Sequence, residues 1–219
     1  MDIEILYEDA YLVACVKPAG MLSEDGGMPD ALSGQLNAKR IFCIHRLDKD
    51  VGGVMIYAKD GKTAALLSEA IAAHRAKKEY LLICQGALQA KEGTLTDLLY
   101  HDKQKNKTYV VSRERKGVKD AALDYEVVRY DDESDLSLVK ALLKTGRSHQ
   151  IRVQFASRKM PLAGDMKYGS KIKKNRIALW SYRYSFRHPI TGEDMTFAKT
   201  PPMEDPWTAF EKDILSITL

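Results

Sequence analysis

The sequence predicts an α+β fold, and three observations carry that reading. Strand-like apolar runs follow one another from about residue 78 to residue 144 with no helical pattern between them. Amphipathic helical spacing is confined to a few short stretches. Helices and strands therefore do not alternate as repeated βαβ units would require. No internal repeat, low-complexity segment or linker divides the 219 residues, so a single domain over residues 1–219 is expected.

Taken in order, residues 3–7 and 11–16 read as two short strands joined by a turn at Glu8-Asp9-Ala10. Lys17-Pro18-Ala19-Gly20 breaks the pattern, and residues 22–40 are polar and Gly-containing, a loop with a short helix. Apolar runs at 41–44 and 54–58 flank the charged stretch His45-Arg46-Leu47-Asp48-Lys49-Asp50, and Gly52-Gly53 reads as a sharp turn. Asp60 is placed to cap a helix from about Gly61 to Arg75, with Ala64, Leu67, Ala70, Ile71 and His74 on one face. Strands follow at 78–84, 94–100, 107–112, 121–130 and 136–144. After the tight return Thr145-Gly146-Arg147, Ser148 is placed to cap a helix through Phe155. A loop opens at Pro161 and closes at Tyr168-Gly169; residues 177–186 end as a strand, and His188 to Gly192 turns into a strand at 195–198. Pro206 opens a terminal helix to about Leu215.

Hydrophobic residues are 45% of the chain, ordinary for a protein with a real core. No run of about 18 apolar residues exists to span a membrane. The opening Met1-Asp2-Ile3-Glu4 lacks the regions of a signal peptide, so a cytoplasmic location is expected. Cys15, Cys43 and Cys84 lie far apart in apolar runs and read as reduced core residues. The net charge of +4 is modest, but the cations cluster. Lys103, Lys105 and Lys107 form one group; Arg113, Arg115, Lys116 and Lys119 a second; Lys167, Lys171, Lys173, Lys174 and Arg176 a third. Tyr100, Tyr109 and Tyr168 stand close by, a composition suited to phosphate contact and base stacking on nucleic acid. Each cluster alone also fits a solvated loop.

The chemistry-bearing stretch is residues 45–53. It offers an imidazole, a guanidinium and a carboxylate within four residues, between two strand-like runs where rigid support is available. A charged surface turn is the plain alternative. Cys43 and His45 could begin a metal site, but no Cys-x-x-Cys or His-Glu-x-x-His accompanies them, so no metal is expected. At 145–152, His149, Gln150 and Arg152 crowd the start of a helix, where anions are favoured.

These residues resemble the signatures of RluA-type RNA pseudouridine synthases. Ile5-Leu6-Tyr7-Glu8-Asp9 with Lys17-Pro18-Ala19-Gly20 is similar to the family's opening. Residues 45–53 resemble its His-Arg-Leu-Asp-x-x-Thr-Ser-Gly, Lys78 and Tyr80 its Lys-x-Tyr strand, and residues 145–152 its Thr-Gly-Arg-Thr-His-Gln-Ile-Arg. Gly164, Asp165, Tyr168 and Gly169 match Gly-Asp-x-x-Tyr-Gly, and residues 186–192 match Phe-x-His-Pro-x-Thr-Gly. The matches run through nearly the whole chain in family order, and no stretch remains for the S4-like RNA-binding domain of many relatives. Three departures stand out. Val51 and Gly52 replace Thr and Ser, Gln154 stands where His is common, and Leu179-Trp180-Ser181 replaces Leu-His-Ala.

The resemblance implies a pseudouridine synthase-like fold, with a mixed, mostly antiparallel central sheet and flanking helices. It implies isomerisation of uridine in structured ribosomal or transfer RNA without any cofactor, by a protein expected to be a monomer with no obligate protein partner. It makes Asp48 the catalytic carboxylate, Arg147 the ion-pair partner that keeps Asp48 charged, and Tyr80 a catalytic ring that stacks on the target base and accepts or delivers a proton there, a core aromatic being its plain alternative. Arg46 helps hold the flipped-out position or nearby backbone, and His45, His149, Gln150 and Arg152 are expected to contact substrate, although His45 also reads as a structural residue of its loop. Asp50 reads as solvated, and Asp165 as a brace for its loop. Without the Thr and Ser hydroxyls, a catalytically weak or inactive RNA-binding protein on the same fold is the alternative. A metal-dependent nuclease built on Asp48, Asp50 and His45 is a third, minor one.

Overall fold

The computed structural model describes residues 2–218. In chain order its elements are β1 (Glu4–Glu8), β2 (Leu12–Lys17), α1 (Met28–Gln35), β3 (Phe42–Cys43), β4 (Gly52–Ala58), α2 (Gly61–Ala72), β5 (Lys77–Gln85), β6 (Glu92–Asp102), β7 (Lys107–Val111), β8 (Val118–Asp131), β9 (Leu136–Leu143), α3 (Gln150–Ser157), β10 (Leu179–Arg187), β11 (Asp194–Ala198) and α4 (Glu211–Thr218). Short 3-10 turns occupy Met166–Tyr168 and Trp207–Phe210. This is the expected α+β class, with mostly antiparallel strand pairing. The fold divides into two compact units, Met1–Lys78 with Trp180–Pro201, and Glu79–Leu179 with Pro202–Leu219. The chain passes between them within β5, at the start of β10 and at Pro201-Pro202; the first two crossings fall in strands, where nothing in the sequence marks them.

In the first unit β4 is the hub. It pairs antiparallel with β2 from Leu12↔Ala58 to Lys17↔Gly53. On its other edge it pairs with β3 at Tyr57 and Ala58 and, in parallel, with β10 at Gly52 and Gly53. β1 extends the sheet beyond β2, and β11 pairs antiparallel with β10. Side chains alternate along a strand, so Leu12, Ala14, Val54, Ile56, Ala58, Tyr184 and Phe186 share one buried face, with Leu67 of α2 packed on it. Asp60 caps α2 as expected, accepting from the Thr63 N–H at 2.9 Å and the Thr63 hydroxyl at 2.6 Å.

The second unit is an antiparallel sheet in the order β5-β9-β8-β6-β7. Helix α3 packs through Val153 on Leu99 and Ala121, and Phe155 meets the Tyr125 ring edge-on.

Three local expectations are corrected. Gly52 and Gly53 lie inside β4 and do not form a turn. A Cβ on Gly53 would stand 2.3 Å from the Ser181 carbonyl oxygen, and φ there is +122°. The pair is glycine because β10 approaches too closely for side chains. At α3 the cap position belongs to His149 in a left-handed conformation (φ 54°, ψ 23°) with no side-chain capping bond, so Ser148 does not cap. The run expected as a strand over 41–44 forms one only at Phe42–Cys43.

Candidate active site

In the first unit, Asp48 sits on a loop whose neighbouring residues are fastened one by one. Ser23 is buried; its hydroxyl donates to the Leu47 carbonyl (2.9 Å) and accepts from the Leu47 N–H (3.0 Å). The hydroxyl of Tyr57, itself fully buried, donates to the Ser23 carbonyl at 2.9 Å and fixes the clamp to β4. The Lys49 carbonyl accepts from the Gly20 N–H at 2.8 Å and from the Lys17 ammonium at 3.0 Å. The Val51 N–H closes a tight turn onto the Asp48 carbonyl at 3.0 Å. Asp48 is partly buried, whereas Lys49 and Asp50 are exposed. A shallow depression lined by Pro18, Gly20, Leu22, Gly26, Gly27 and Lys49 lies beside this loop.

Lys17 is the unusual group. Its side chain is fully buried, and its ammonium donates to the Pro18 and Lys49 carbonyls, both at 3.0 Å. Burial pulls its pKa down to about 8, against the opposing pull of Asp50 and Asp48. The carboxylates of this loop, Asp48 and Asp50, thus have a buried cation behind them.

His45 is engaged within the protein. Its Nε2 accepts from the Ile56 N–H at 3.2 Å, and its ring stacks on Tyr184 at 4.7 Å between centroids. Burial, with the Lys78 ammonium nearby, holds the imidazole well below its ordinary pKa, so it is neutral with its proton on Nδ1. Arg46 is exposed and pairs with Glu24 at 3.0 Å on the surface. Such a pair contributes little to stability and can be exchanged for another anion.

In the second unit, Tyr80 lies on β5 opposite Ala141 and is buried. Arg147 is partly exposed, and its Nε donates to the Asp120 carbonyl at 2.9 Å. Gln150 is buried, with both ends of its amide engaged. Its amide oxygen accepts from the Thr145 hydroxyl (2.8 Å) and the Arg147 N–H (3.0 Å), and its nitrogen donates to the Ala122 carbonyl (3.1 Å). This ties the Thr145-Gly146-Arg147 return to β8. Arg152 is also buried, in a two-point ion pair with buried Asp165 (Nε to Oδ2 2.7 Å, Nη2 to Oδ1 2.9 Å), and lies over the Tyr168 ring at 5.1 Å. Tyr168 links three segments. Its hydroxyl accepts from the Thr108 N–H at 2.8 Å and shares a second hydrogen bond with Nδ1 of His149 at 2.9 Å. That bond pins the imidazole of a residue held in a left-handed backbone.

The basic clusters differ from one another. Lys103, Lys105, Arg113, Arg115, Lys116 and Lys119 are exposed, on or beside the β6–β7 hairpin and the loop after β7. Arg115 lies 4.7 Å over Tyr100, and Lys107 lies over Tyr109 and Tyr168. In the third cluster, Lys174 pairs with Asp205 and Arg176 with Glu204.

A model of the family described as RNA pseudouridylate synthase matches residues 11–157. The chain belongs to the RNA pseudouridylate synthase family. An RNA pseudouridine synthase of Bacillus subtilis (strain 168) is 33% identical over 88% of this chain, which spans 66% of that relative's length. The tRNA pseudouridine synthase C of Haemophilus influenzae (strain ATCC 51907 / DSM 11121 / KW20 / Rd) is 33% identical over 94% of this chain and 95% of its own. Other relatives are named ribosomal large subunit pseudouridine synthase D. Human RNA Pseudouridylate Synthase Domain Containing 1 has the same fold, with a TM-score of 0.78 at 20% identity over 93% of this chain and 85% of its own.

Set on this RNA pseudouridylate synthase fold, the motif residues divide by unit. The first unit brings together His45, Arg46 and Asp48; the second brings together Arg147, His149, Gln150 and Arg152, with Tyr80 on its β5. Sequence reasoning missed Ser23 and the clamping role of Lys17. Lys17 carried a signal, a lysine ending an otherwise apolar strand; Ser23 carried none. Among the described residues no group of three or more His, Cys, Asp or Glu side chains is arranged to hold a metal ion. No described helix is long and apolar enough to cross a membrane.

Proposed function

We propose that this chain converts specific uridines of structured RNA, ribosomal or transfer, into pseudouridine, with Asp48 as the catalytic carboxylate. The reaction breaks the bond from ribose C1′ to N1 and forms one from C1′ to C5. The C5 hydrogen leaves as a proton and N1 gains one, so atoms and electrons balance without a redox partner. A base within a stem has to be extruded first, at a cost of a few kcal/mol. Stacking on Tyr80 and phosphate contacts from the exposed cations of the β6–β7 region offset that cost.

The observation that carries this reading is the fastening of the loop. Residues 47, 49 and 51 on either side of Asp48 are each held by backbone hydrogen bonds. Preorganisation of this kind suits a reacting group that has to meet an extruded base within a fraction of an ångström. It also speaks against the alternative of an inactive RNA-binding protein, whose motive was a loop loosened by the loss of two hydroxyls.

The remaining residues take the following roles in this proposal. Arg46 exchanges Glu24 for RNA phosphate. His45 braces the loop from inside, being neutral and bonded to Ile56. Gln150 shapes the Arg147 turn, and His149 is presented by Tyr168. Arg147 is the guanidinium that serves Asp48. Arg152 is the second reading for that role, because it is buried and already oriented by two bonds to Asp165, whereas Arg147 is partly exposed. Lys substitution retains charge and removes the planar fork. Arg147→Lys is expected to cut kcat sharply while Arg152→Lys chiefly lowers stability; the reverse pattern assigns the role to Arg152. Mapping pseudouridine in cellular RNA with and without the protein identifies the target. A map with no site lost in the protein's absence contradicts the proposed activity.

A further inference from the structure

The geometry points to Trp180 as a positioning residue for Asp48, acting through Gly52. Resting on the reading of Asp48 as the catalytic group, we infer that two departures from the family pattern are one physical exchange. A hydroxyl side chain at residue 52 and an imidazole at residue 180 have been traded for a bare backbone at 52 and a larger indole at 180.

Gly52 and Trp180 are register partners in the parallel pairing of β4 with β10. A Cβ built on Gly52 would lie 2.4 Å from Cζ3 and 3.0 Å from Cε3 of Trp180, and 3.0 Å from the Lys17 carbonyl oxygen. The first distance is far inside van der Waals contact, and two of the three atoms belong to a ring that cannot bend away. The residue is glycine for space, since Gly52, unlike Gly53, does not have a positive φ. The indole is itself fixed. It is 8% exposed, and its Nε1–H donates to the Lys199 carbonyl at 2.7 Å. One residue on, the Ser181 hydroxyl donates to the Val54 carbonyl at 2.9 Å, locking β10 against β4. Gly52 directly follows Val51, whose N–H closes the turn onto the Asp48 carbonyl. The exit of the catalytic loop is therefore seated on a rigid ring where the family pattern carries a Ser.

The exchange predicts non-additivity. Gly52→Ser alone drives a side chain into the indole. Trp180→His alone leaves a void under the loop exit and removes the Lys199 anchor. The double variant returns both positions to the family pattern. The test is a cycle of wild type, Gly52→Ser, Trp180→His and the double variant, each as the full chain. For each, kcat and KM of tritium release from RNA containing [5-³H]uridine are measured, with a melting curve and an RNA-binding curve. Trp180→His is expected to remain folded and bind RNA within about twofold of wild type, yet to lose about tenfold or more in kcat, as a displaced reacting group does. The double variant should recover most of that loss, and Trp180→Phe, which keeps a ring against Gly52, should lose less than Trp180→His. If Gly52→Ser fails to fold, the comparison of Trp180→His with the double variant still decides. Equal or additive losses in the double variant, or an unchanged kcat in folded Trp180→His, overturn the inference. Asp48→Ala in the same assay separates the two levels: residual turnover there sinks the reading of Asp48 and this positioning role with it. An inactive Asp48→Ala beside an additive cycle sinks only the role of Trp180.

Discussion

Replacing Lys17 by Met isolates the buried cation behind the Asp48 loop. The substitution keeps an unbranched chain of similar length and removes the charge. In the folded protein burial lowers the Lys17 pKa from its ordinary 10.5 to about 8. Between those values the unfolded chain binds a proton that the folded chain does not, so this group's contribution to stability rises with pH across that window. A displacement of that size corresponds to about 3 kcal/mol between pH 7 and pH 10.5. The raw stability curve does not show this directly. Burial of Cys43 and Cys84 pushes their thiols up to about 11 and about 12, which makes the fold lose stability as pH passes 9, and Lys78, also lowered to about 8, adds a rise of its own. All of these are present in both proteins and cancel in the difference. Urea denaturation of wild type and Lys17→Met at pH 7 and pH 10.5 should therefore show the stability of wild type relative to the variant climbing by about 3 kcal/mol. A difference that stays flat to within about 1 kcal/mol refutes the placement of a charged, desolvated ammonium at this position.

Two further outcomes follow from the same structure. Ser23→Ala removes the hydroxyl that serves both the N–H and the carbonyl of Leu47; it should cost about 1–3 kcal/mol, seen as a lower Tm, and reduce kcat more than RNA affinity. No change in Tm or kcat would mean the loop is held elsewhere. Exchanging Lys103, Lys105, Arg113 and Arg115 for Gln should flatten the dependence of log affinity on log salt, by about 0.7–0.9 for each phosphate no longer neutralised. An unchanged slope in filter binding would mean these cations face only solvent.

Much of the scaffold was legible because its signals are local. The Asp60 cap is a rule about four consecutive residues, and the strands of both units announce themselves as apolar runs closed by turns. Position 52 shows where locality fails. Two adjacent glycines look like a turn until one knows that Trp180 and Ser181, nearly 130 residues later, lie against them. His149 likewise has its ring partner in Tyr168, 19 residues on, and Gln150 has one of its partners in Ala122, 28 residues back. The order of the motifs revealed the family, and with it which charged stretch matters. What fastens that stretch did not show, because Ser23 is one serine in a polar loop and Lys17 looks like the solvent end of a strand. The division into two units escaped for a related reason: each is assembled from distant pieces of chain.

The most direct test of the whole account is tritium release from RNA transcribed with [5-³H]uridine, comparing wild type with Asp48→Asn at saturating protein. The account predicts release by wild type, none above background by the variant, and RNA binding by both within a few-fold, as expected when an isosteric change removes only the charge. Release by Asp48→Asn at a rate near wild type, or no release by wild type from any ribosomal or transfer RNA, would contradict it.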